Sequence, residues 1–381
     1  MPVKTSSAIK NPLTIGILGG GQLARFLVEK GQNLGIETWV LSNNENDPAA
    51  QVTSHWVKGN PSDPKDLSTF LKTVSVLTFE SEFADVNLIQ KVAPKQLQIF
   101  PSLNDIKTFQ DRFSQKTLLE THSIETSAFL KVSCTDDLNR SGEFFNYKYV
   151  LKKRFGGYDG YGTFIVKNKK DHLKVVQSIT DFKIGFIAEA YIPFDFECAA
   201  TFFRNKKDQW THTPLVFSKQ SQSKCDYVYG PIHHSSFEKM KKKIKSLMKK
   251  IDYVGALTFE FFVKGNELIV NETAPRVHNS AHYTLDALSQ DQFTLHLKSV
   301  MNWGLSIPIT SRSTHFCMVN LVGTNEKSVT IPKDLSGTLY WYGKTQNRSG
   351  RKMGHINYSS NELTAQNLLK LAQKERNRFK L

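Results

Sequence analysis

The sequence predicts an α/β protein, α+β overall, with a Rossmann-like parallel-sheet domain first and a small β-rich domain last. Three observations carry this reading. An apolar segment at residues 13–18 runs into Gly19-Gly20-Gly21 and then into a helical pattern through Leu23, Phe26, Leu27 and Leu34, the strand–turn–helix start of a parallel sheet. A second glycine-rich loop, residues 156–162, has strand patterns on both sides. Residues 257–263 and 268–271 read as a hairpin around Gly265.

The elements follow in order. Residues 38–41 and 74–79 read as further strands of the first sheet, and Pro94 and Pro101 bracket a short one at 97–100. This domain is expected over residues 1–110. Residues 104–120 read as one helix. Strands are expected at 149–152, 163–166, 187–190 and 197–203, and a helix at 286–300. These make a central domain over 111–305, with a flap subdomain near 120–190. From 306 to 381 short strands and turns alternate before a polar helix beginning near Asn361.

Composition narrows the function classes. The chain has 381 residues, 39% of them hydrophobic, and Lys and Arg exceed Asp and Glu by 15. Apolar residues are spread throughout, which argues against disorder. No apolar run approaches the roughly 20 residues needed to cross a bilayer. Residues 1–12 are polar and lack the apolar core of a secretory signal, so a cytoplasmic location is the expectation. Cys134, Cys198, Cys225 and Cys317 are scattered with no CxxC pair, so neither zinc nor a disulfide framework is expected. The basic excess is densest between Lys239 and Lys250. There Met240, Ile244, Leu247, Met248 and Ile251 recur at helical spacing, the mark of an amphipathic helix with a solvated cationic face. No Arg or aromatic pattern accompanies it, so nucleic acid is not an expected partner.

Several motifs carry chemistry. Gly19-x-Gly21-x-x-Ala24 after a strand fits a dinucleotide fingerprint or another phosphate loop, or a purely structural turn. The second loop lies between strands, and no GK[ST]-helix pattern follows it. A glycine hairpin of that kind folds as a flap over phosphates, with Lys152, Lys153 and Arg154 on the entering strand. Glu260 and Glu272 occupy the two arms of the hairpin. A three-residue turn at 265–267 sets them opposite each other, where two carboxylates call for a cation such as magnesium. Arg276, His278, Asn279, Ser280 and His282 follow within seven residues and read as a ligand clamp. Lys344, Arg348, Arg351 and Lys352 gather around Gly350, either as a solvated basic loop or as a grip for a phosphate.

Together these residues resemble the ATP-grasp 5-(carboxyamino)imidazole ribonucleotide synthases of bacterial and fungal purine biosynthesis. The matching stretches are 17–25 (Ile-Leu-Gly-Gly-Gly-Gln-Leu-Ala-Arg), Gln110-Asp111-Arg112, Lys152 with Gly156-Gly-Tyr-Asp-Gly-Tyr-Gly162, Asn271-Glu-Thr-Ala-Pro-Arg-Val-His-Asn279, Gln292-Phe293 with His296-Leu297, and Gly350-Arg-Lys-Met-Gly-His355. They run in order along nearly the whole chain.

The resemblance implies an ATP-grasp fold and a carboxylation. ATP phosphorylates bicarbonate to carboxyphosphate, and the carboxyl group is captured by the exocyclic amine of 5-aminoimidazole ribonucleotide. It implies that Arg112, Lys152, Gly157, Gly160, Gly162 and Thr163 hold ATP, with Glu189 and Ile192 on the adenine side, Glu197 on the ribose and Asn271 by the phosphates. Glu260 and Glu272 would hold magnesium. Tyr158 and Asp159 would approach the reacting amine, Asp159 orienting it or taking its proton. Arg276, His278 and Asn279 would border the bicarbonate and imidazole pocket. Arg351, Lys352 and Lys344 would take the substrate phosphate, and Gly21 and Gln22 would face the same nucleotide. A homodimer and no membrane partner are the family expectation.

Three positions depart from the pattern: Gln220 stands where a nucleotide-side His is expected, and Ala24 and Ala281 replace glycines. Two other readings stay open at this point, another ATP-grasp ligase working through an acyl phosphate and a non-catalytic nucleotide-binding regulator.

Overall fold

The computed structural model describes residues 13–157, 160–305, 309–326 and 328–381. It divides into two compact units, Met1–Phe100 and Pro101–Leu381.

The first unit is built on strands β1 (Thr14–Leu18), β2 (Glu37–Ser42), β3 (His55–Lys58), β4 (Val76–Phe79) and β5 (Gln98–Ile99), in the order β3-β2-β1-β4-β5. All four pairings are parallel. Ile15, Ile17, Val40, Leu41 and Leu77 are fully buried, as expected where helices cover both faces of a parallel sheet. Helix Gln22–Asn33 starts directly after the glycines and buries Leu23, Ala24, Phe26, Leu27 and Val28. A helix at Pro64–Leu71, which the apolar pattern did not suggest, begins where the Asp63 carboxylate accepts from the Lys65 and Asp66 amides. The strand order reverses beside β1, so the ends of β1 and β4 bound the crevice where such sheets bind ligands.

In the second unit, the single helix expected over 104–120 is two helices, Leu103–Gln110 and Arg112–Thr121. Asp111 interrupts them with extended backbone (φ −99°, ψ 110°). Its carboxylate accepts from the Phe113 amide at 3.1 Å and the Ser114 hydroxyl at 2.8 Å. An aspartate that can cap is a poor interior helix residue. The same carboxylate holds the Arg154 guanidinium, so the break anchors the strand that enters the second glycine loop.

That loop joins β7 (Tyr149–Lys153) to β8 (Thr163–Val166) in a four-stranded antiparallel sheet. With β6 (Phe129–Val132) and β9 (Phe186–Ala190), the order is β6-β9-β7-β8. Its own small core contains Val132, Leu138, Leu151, Val166 and Phe186.

The remaining strands form one nine-stranded sheet. They are β10 (Phe196–Arg204), β11 (Trp210–His212), β12 (Val216–Ser221), β13 (Lys224–Gly230), β14 (Gly255–Lys264), β15 (Glu267–Ala274), β16 (His315–Val322), β17 (Thr338–Trp341) and β18 (Lys352–Ser360). The order is β15-β14-β10-β12-β13-β16-β18-β17, with β11 paired to β10. The C-terminal strands therefore extend the central sheet through the β13–β16 ladder. Helix Phe237–Lys250 packs Met240, Ile244, Leu247 and Met248 behind it. Its lysines are a solvated face: Lys241 meets Glu238, Lys243 meets Glu125, and Lys249 meets Asp208. The helix expected over 286–300 is also divided, into Thr284–Ala287 and Gln292–Val300, because the Asp291 carboxylate caps the second piece. Among the described residues no helix is long and apolar enough to cross a membrane.

Candidate active site

The acid-bearing hairpin fixes the site. Lys264 pairs with Glu267, so the turn has two residues, Gly265 and Asn266, and not the three expected. In that register Phe261 meets Val270, and the next pair would be Glu260 with Asn271. A bulge intervenes and Glu260 meets Glu272. Asn271 is the extra residue, and such bulges re-aim side chains. Its Oδ1 accepts from Lys152 Nζ at 3.1 Å. The two carboxylates are thus opposed, as expected, but by a bulge that compensates for a shorter turn.

Direct cross-strand partners share a face. Alternate positions carry one face from Glu272 and Glu260 through Glu197 and Ser218 to Asn320 and His355. Burial, then the facing Glu272 and Glu197, push the Glu260 carboxyl up to about 8 against the pull of Lys352 and Arg276. Its side chain keeps 26% exposure, so a cation can reach it. Burial also raises Glu197 to about 7. No hydrogen bond engages the Glu197 carboxylate among the described residues, which leaves it to accept from a ligand.

Opposite the acids lies an excess of positive charge. Lys152 Nζ reaches Glu189 Oε2 at 3.2 Å. Lys116, which no motif singled out, reaches the same oxygen at 3.2 Å and also donates to Thr126 at 2.7 Å and Ser127 at 3.0 Å. Burial pulls the Lys116 ammonium down to about 8 against Glu189 beside it. Burial alone would raise Glu189, but Lys116 and Lys152 override it and hold the carboxyl at about 2. Two ammonium groups therefore face one carboxylate in a desolvated pocket, and the surplus charge suits a phosphate. Glu189 Oε1 is buried with no partner among the described residues, an acceptor left for a donor. Ile192 is half-buried just beyond, its carbonyl engaged by the Phe194 amide.

The base of the glycine loop is tied down. Arg112 donates to the Lys153 carbonyl at 3.2 Å and the Gly157 carbonyl at 2.9 Å, and it pairs with Glu272 at 3.1 Å. One guanidinium thereby joins the loop to the acid pair. Gly160 and Gly162 take left-handed backbone (φ +80° and +75°). Thr163 pairs with Lys152 across the ladder. Tyr158 and Asp159, the candidates nearest the reacting amine, lie outside the described residues.

The expected clamp is held by buried amides. Gln292 is fully buried; its Oε1 accepts from the His278 amide at 2.8 Å and its Nε2 donates to the His278 carbonyl at 2.8 Å. The Ser280 amide donates to His278 Nδ1 at 3.3 Å, and Nε2 lies 3.9 Å from Glu260. Burial, then Arg276 and Lys352, hold the His278 ring well below the usual imidazole range, so it is neutral. Arg276 donates to the Val277 carbonyl at 3.1 Å. Asn279 is turned inward, exchanging both amide groups with Asn320 at 3.0 and 2.7 Å. That exchange fastens the loop to β16. His282 stacks on His355 at 4.6 Å, and burial lowers it to about 3. At the basic loop, Lys344 folds onto the Lys352 carbonyl at 2.7 Å and lies over the Tyr342 ring, while Arg351 donates to the Gln346 carbonyl at 3.1 Å. Gln220 donates to Ser218 Oγ at 3.1 Å.

The first glycine loop lies in the first unit. The amide of Gly21 donates to Glu80 Oε2 at 2.5 Å. The Glu80 carboxylate fills the cradle so closely that a Cβ at Gly19 or Gly21 would overlap it. A side chain of the chain itself, Glu80, thus supplies an anion at this helix start. Gln22 opens the helix beside it. Glu80 follows directly on β4 at the strand-order reversal, and that position was the available signal for it.

Residues 13–110 match the ribonucleotide synthetase preATP-grasp domain, 117–293 the ATP-grasp domain, and 317–367 the phosphoribosylaminoimidazole carboxylase C-terminal domain. The N5-carboxyaminoimidazole ribonucleotide synthase of Saccharolobus solfataricus is 31% identical over 350 residues, covering 92% of each chain. The chain belongs to the N5-carboxyaminoimidazole ribonucleotide synthase family. A second member, from Synechococcus elongatus, is 31% identical over 95% of this chain and 94% of its own. The N5-carboxyaminoimidazole synthase of Aspergillus clavatus, solved with ADP and 5-aminoimidazole ribonucleotide, is 27% identical with a TM-score of 0.85, covering 96% of this chain and 98% of that one. Membership in this family of ATP-grasp enzymes accounts for the second glycine loop lying between strands.

Proposed function

We infer that this chain carboxylates 5-aminoimidazole ribonucleotide at its exocyclic amine, consuming ATP and bicarbonate and releasing ADP and phosphate, within purine biosynthesis. The observation that carries the reading is the opposed Glu260–Glu272 pair, set by the bulge that turns Asn271 toward Lys152.

The donor chemistry fits magnesium. Two carboxylates face each other, and among the described residues no group of three or more acids, His or Cys is placed to hold a metal by itself. Glu260 and Glu272 would hold such an ion as hard oxygen ligands, the donor type magnesium takes beside nucleotide phosphates. When bound, it neutralises charge on the transferring phosphoryl group. Lys116 and Lys152, beside Glu189, and Arg112, beside Glu272, supply fixed positive charge around it. Glu189 Oε1 and Glu197 accept hydrogen bonds from the base and ribose.

The γ-phosphoryl group passes to a bicarbonate oxygen, giving ADP and carboxyphosphate. Breakdown yields carbon dioxide and phosphate. The amine nitrogen adds to the carbon, and its proton leaves to Asp159. Arg276 and the neutral His278 bound the bicarbonate. Gly157, Gly160, Gly162 and Thr163 cover the phosphates and exclude water, which protects an intermediate that hydrolyses readily. Arg351, Lys352 and Lys344 take the substrate phosphate. We also propose a homodimer, which sedimentation tests, and a cytoplasmic setting, in keeping with four unpaired cysteines.

The test is bicarbonate-dependent ADP release by the full chain, with and without aminoimidazole ribonucleotide. Strict dependence on that nucleotide is expected. Release driven equally by other amines, or no ATP turnover with any amine, overturns the proposal.

A further inference from the structure

The turn between β12 and β13 belongs to none of the motifs. Ser221 pairs with Lys224 across it, leaving Gln222 and Ser223 as a two-residue turn. Both take left-handed backbone (φ 48° and 59°), a conformation that two-residue hairpin turns usually fill with Asn-Gly. The turn touches two neighbours. The Ser223 side chain lies against Gly160 of the glycine flap, and Lys224 Nζ lies against Gly350 of the basic loop. Each contact is so close that a Cβ on the glycine would overlap it. Gly350 itself is left-handed (φ +76°).

Charge at this junction is unbalanced. Lys224 makes no hydrogen bond or ion pair among the described residues. Asp226, two residues on, is committed to Arg376. Among the described residues the Arg351 guanidinium donates to the Gln346 carbonyl, and Arg348 is held by the neutral Gln346 side chain. Lys352 joins the same loop and acts electrostatically toward Glu260 and His278. Cations from two separate parts of the chain converge on Gly350, and among the described residues no carboxylate pairs with Lys224, Arg348 or Arg351. Such a cluster is self-repelling until an anion enters, and a phosphate dianion with several acceptor oxygens suits it.

We propose that Lys224 is a phosphate-binding residue of the ribonucleotide site, delivered by the β12–β13 turn to the basic loop at Gly350. The proposal rests on the reading that this loop takes the substrate phosphate. It adds a ligand from outside the C-terminal strands, and it places that ligand one residue from the flap contact at Ser223.

Steady-state kinetics on the full chain test it, with Lys224→Met, Lys224→Arg and Lys352→Ala compared at varied ribonucleotide and at varied ATP. Lys224→Met is expected to raise KM for the ribonucleotide about 10-fold, the size of one lost charge-assisted hydrogen bond. KM for ATP stays put. Lys224→Arg recovers most of the loss, which excludes a folding defect of the turn as the cause. A normal ribonucleotide KM in Lys224→Met beside a raised one in Lys352→Ala overturns this inference alone. A shift in ATP KM instead also overturns it. Normal values in both variants overturn the underlying reading of the Gly350 loop.

Discussion

The molecule has two glycine loops, and they come to opposite electrostatic ends. The loop after β1 presents amides at a helix start, and the Glu80 carboxylate fills it. The loop after β7 is entered by Lys152, held at its base by Arg112 and backed by the buried Lys116. Glycine gives both loops close backbone approach. What each receives is decided by its neighbours: an acid already seated in one, surplus ammonium charge in the other. A glycine pattern therefore locates an approachable backbone without specifying the charge of what approaches.

If the second loop serves a metal–triphosphate, its acids are indispensable. Glu272→Gln is expected to lower ATP turnover by roughly 10²–10³-fold, read as ADP release, since a fixed charge at the transferring group is worth that much. Turnover within a few-fold of the parent would break the comparison.

The buried charge behind that loop is next. Lys116→Met leaves Glu189 paired with Lys152 but strips its second cation, a loss of charge-assisted hydrogen bonds that costs about 1.5–3 kcal/mol. Urea unfolding measures it, and a loss under about 1 kcal/mol would mean that Lys116 is not the counter-charge.

Glu260→Gln sharpens the contrast through pH. The folded carboxyl is raised from 4.5 to about 8. Between those values the native state holds the proton more tightly than the unfolded chain does, so stability falls as pH rises through that window. The variant lacks this loss. Its thermal midpoint should match the parent near the bottom of the window and exceed it increasingly up to about pH 8, by linkage. A gap independent of pH would contradict the account.

The smallest effect belongs to the first loop. Glu80→Ala strands the Gly21 amide, costing about 1–3 kcal/mol. Inorganic phosphate should then restore more stability to the variant than it adds to the parent. Equal effects would show that the cradle is no anion site.

Much of this was legible in advance because it is local. Periodicity placed the β1–helix start, the strands around the second loop and the cationic helix. What failed was mostly capping. Asp111 and Asp291 each sit inside a helical pattern, and each splits it by offering its carboxylate to the following amides. The acid pair was foreseen, but from a turn one residue too long, because a bulge is invisible to a count of alternating residues. Lys116 and Glu80 carry no motif. Their importance comes from partners far along the chain, Glu189 for one and Gly21 for the other. Asn279 had the right chemistry for a ligand, and only the tertiary structure shows Asn320 already facing it.

Manganese binding, followed by electron paramagnetic resonance with and without ADP, tests the central claim most directly. Two carboxylates alone make a weak site, and nucleotide phosphates complete it. Tight manganese binding is expected only when the nucleotide is present, and it should vanish in both Glu260→Gln and Glu272→Gln. Tight binding without nucleotide, or binding that survives both substitutions, would contradict it.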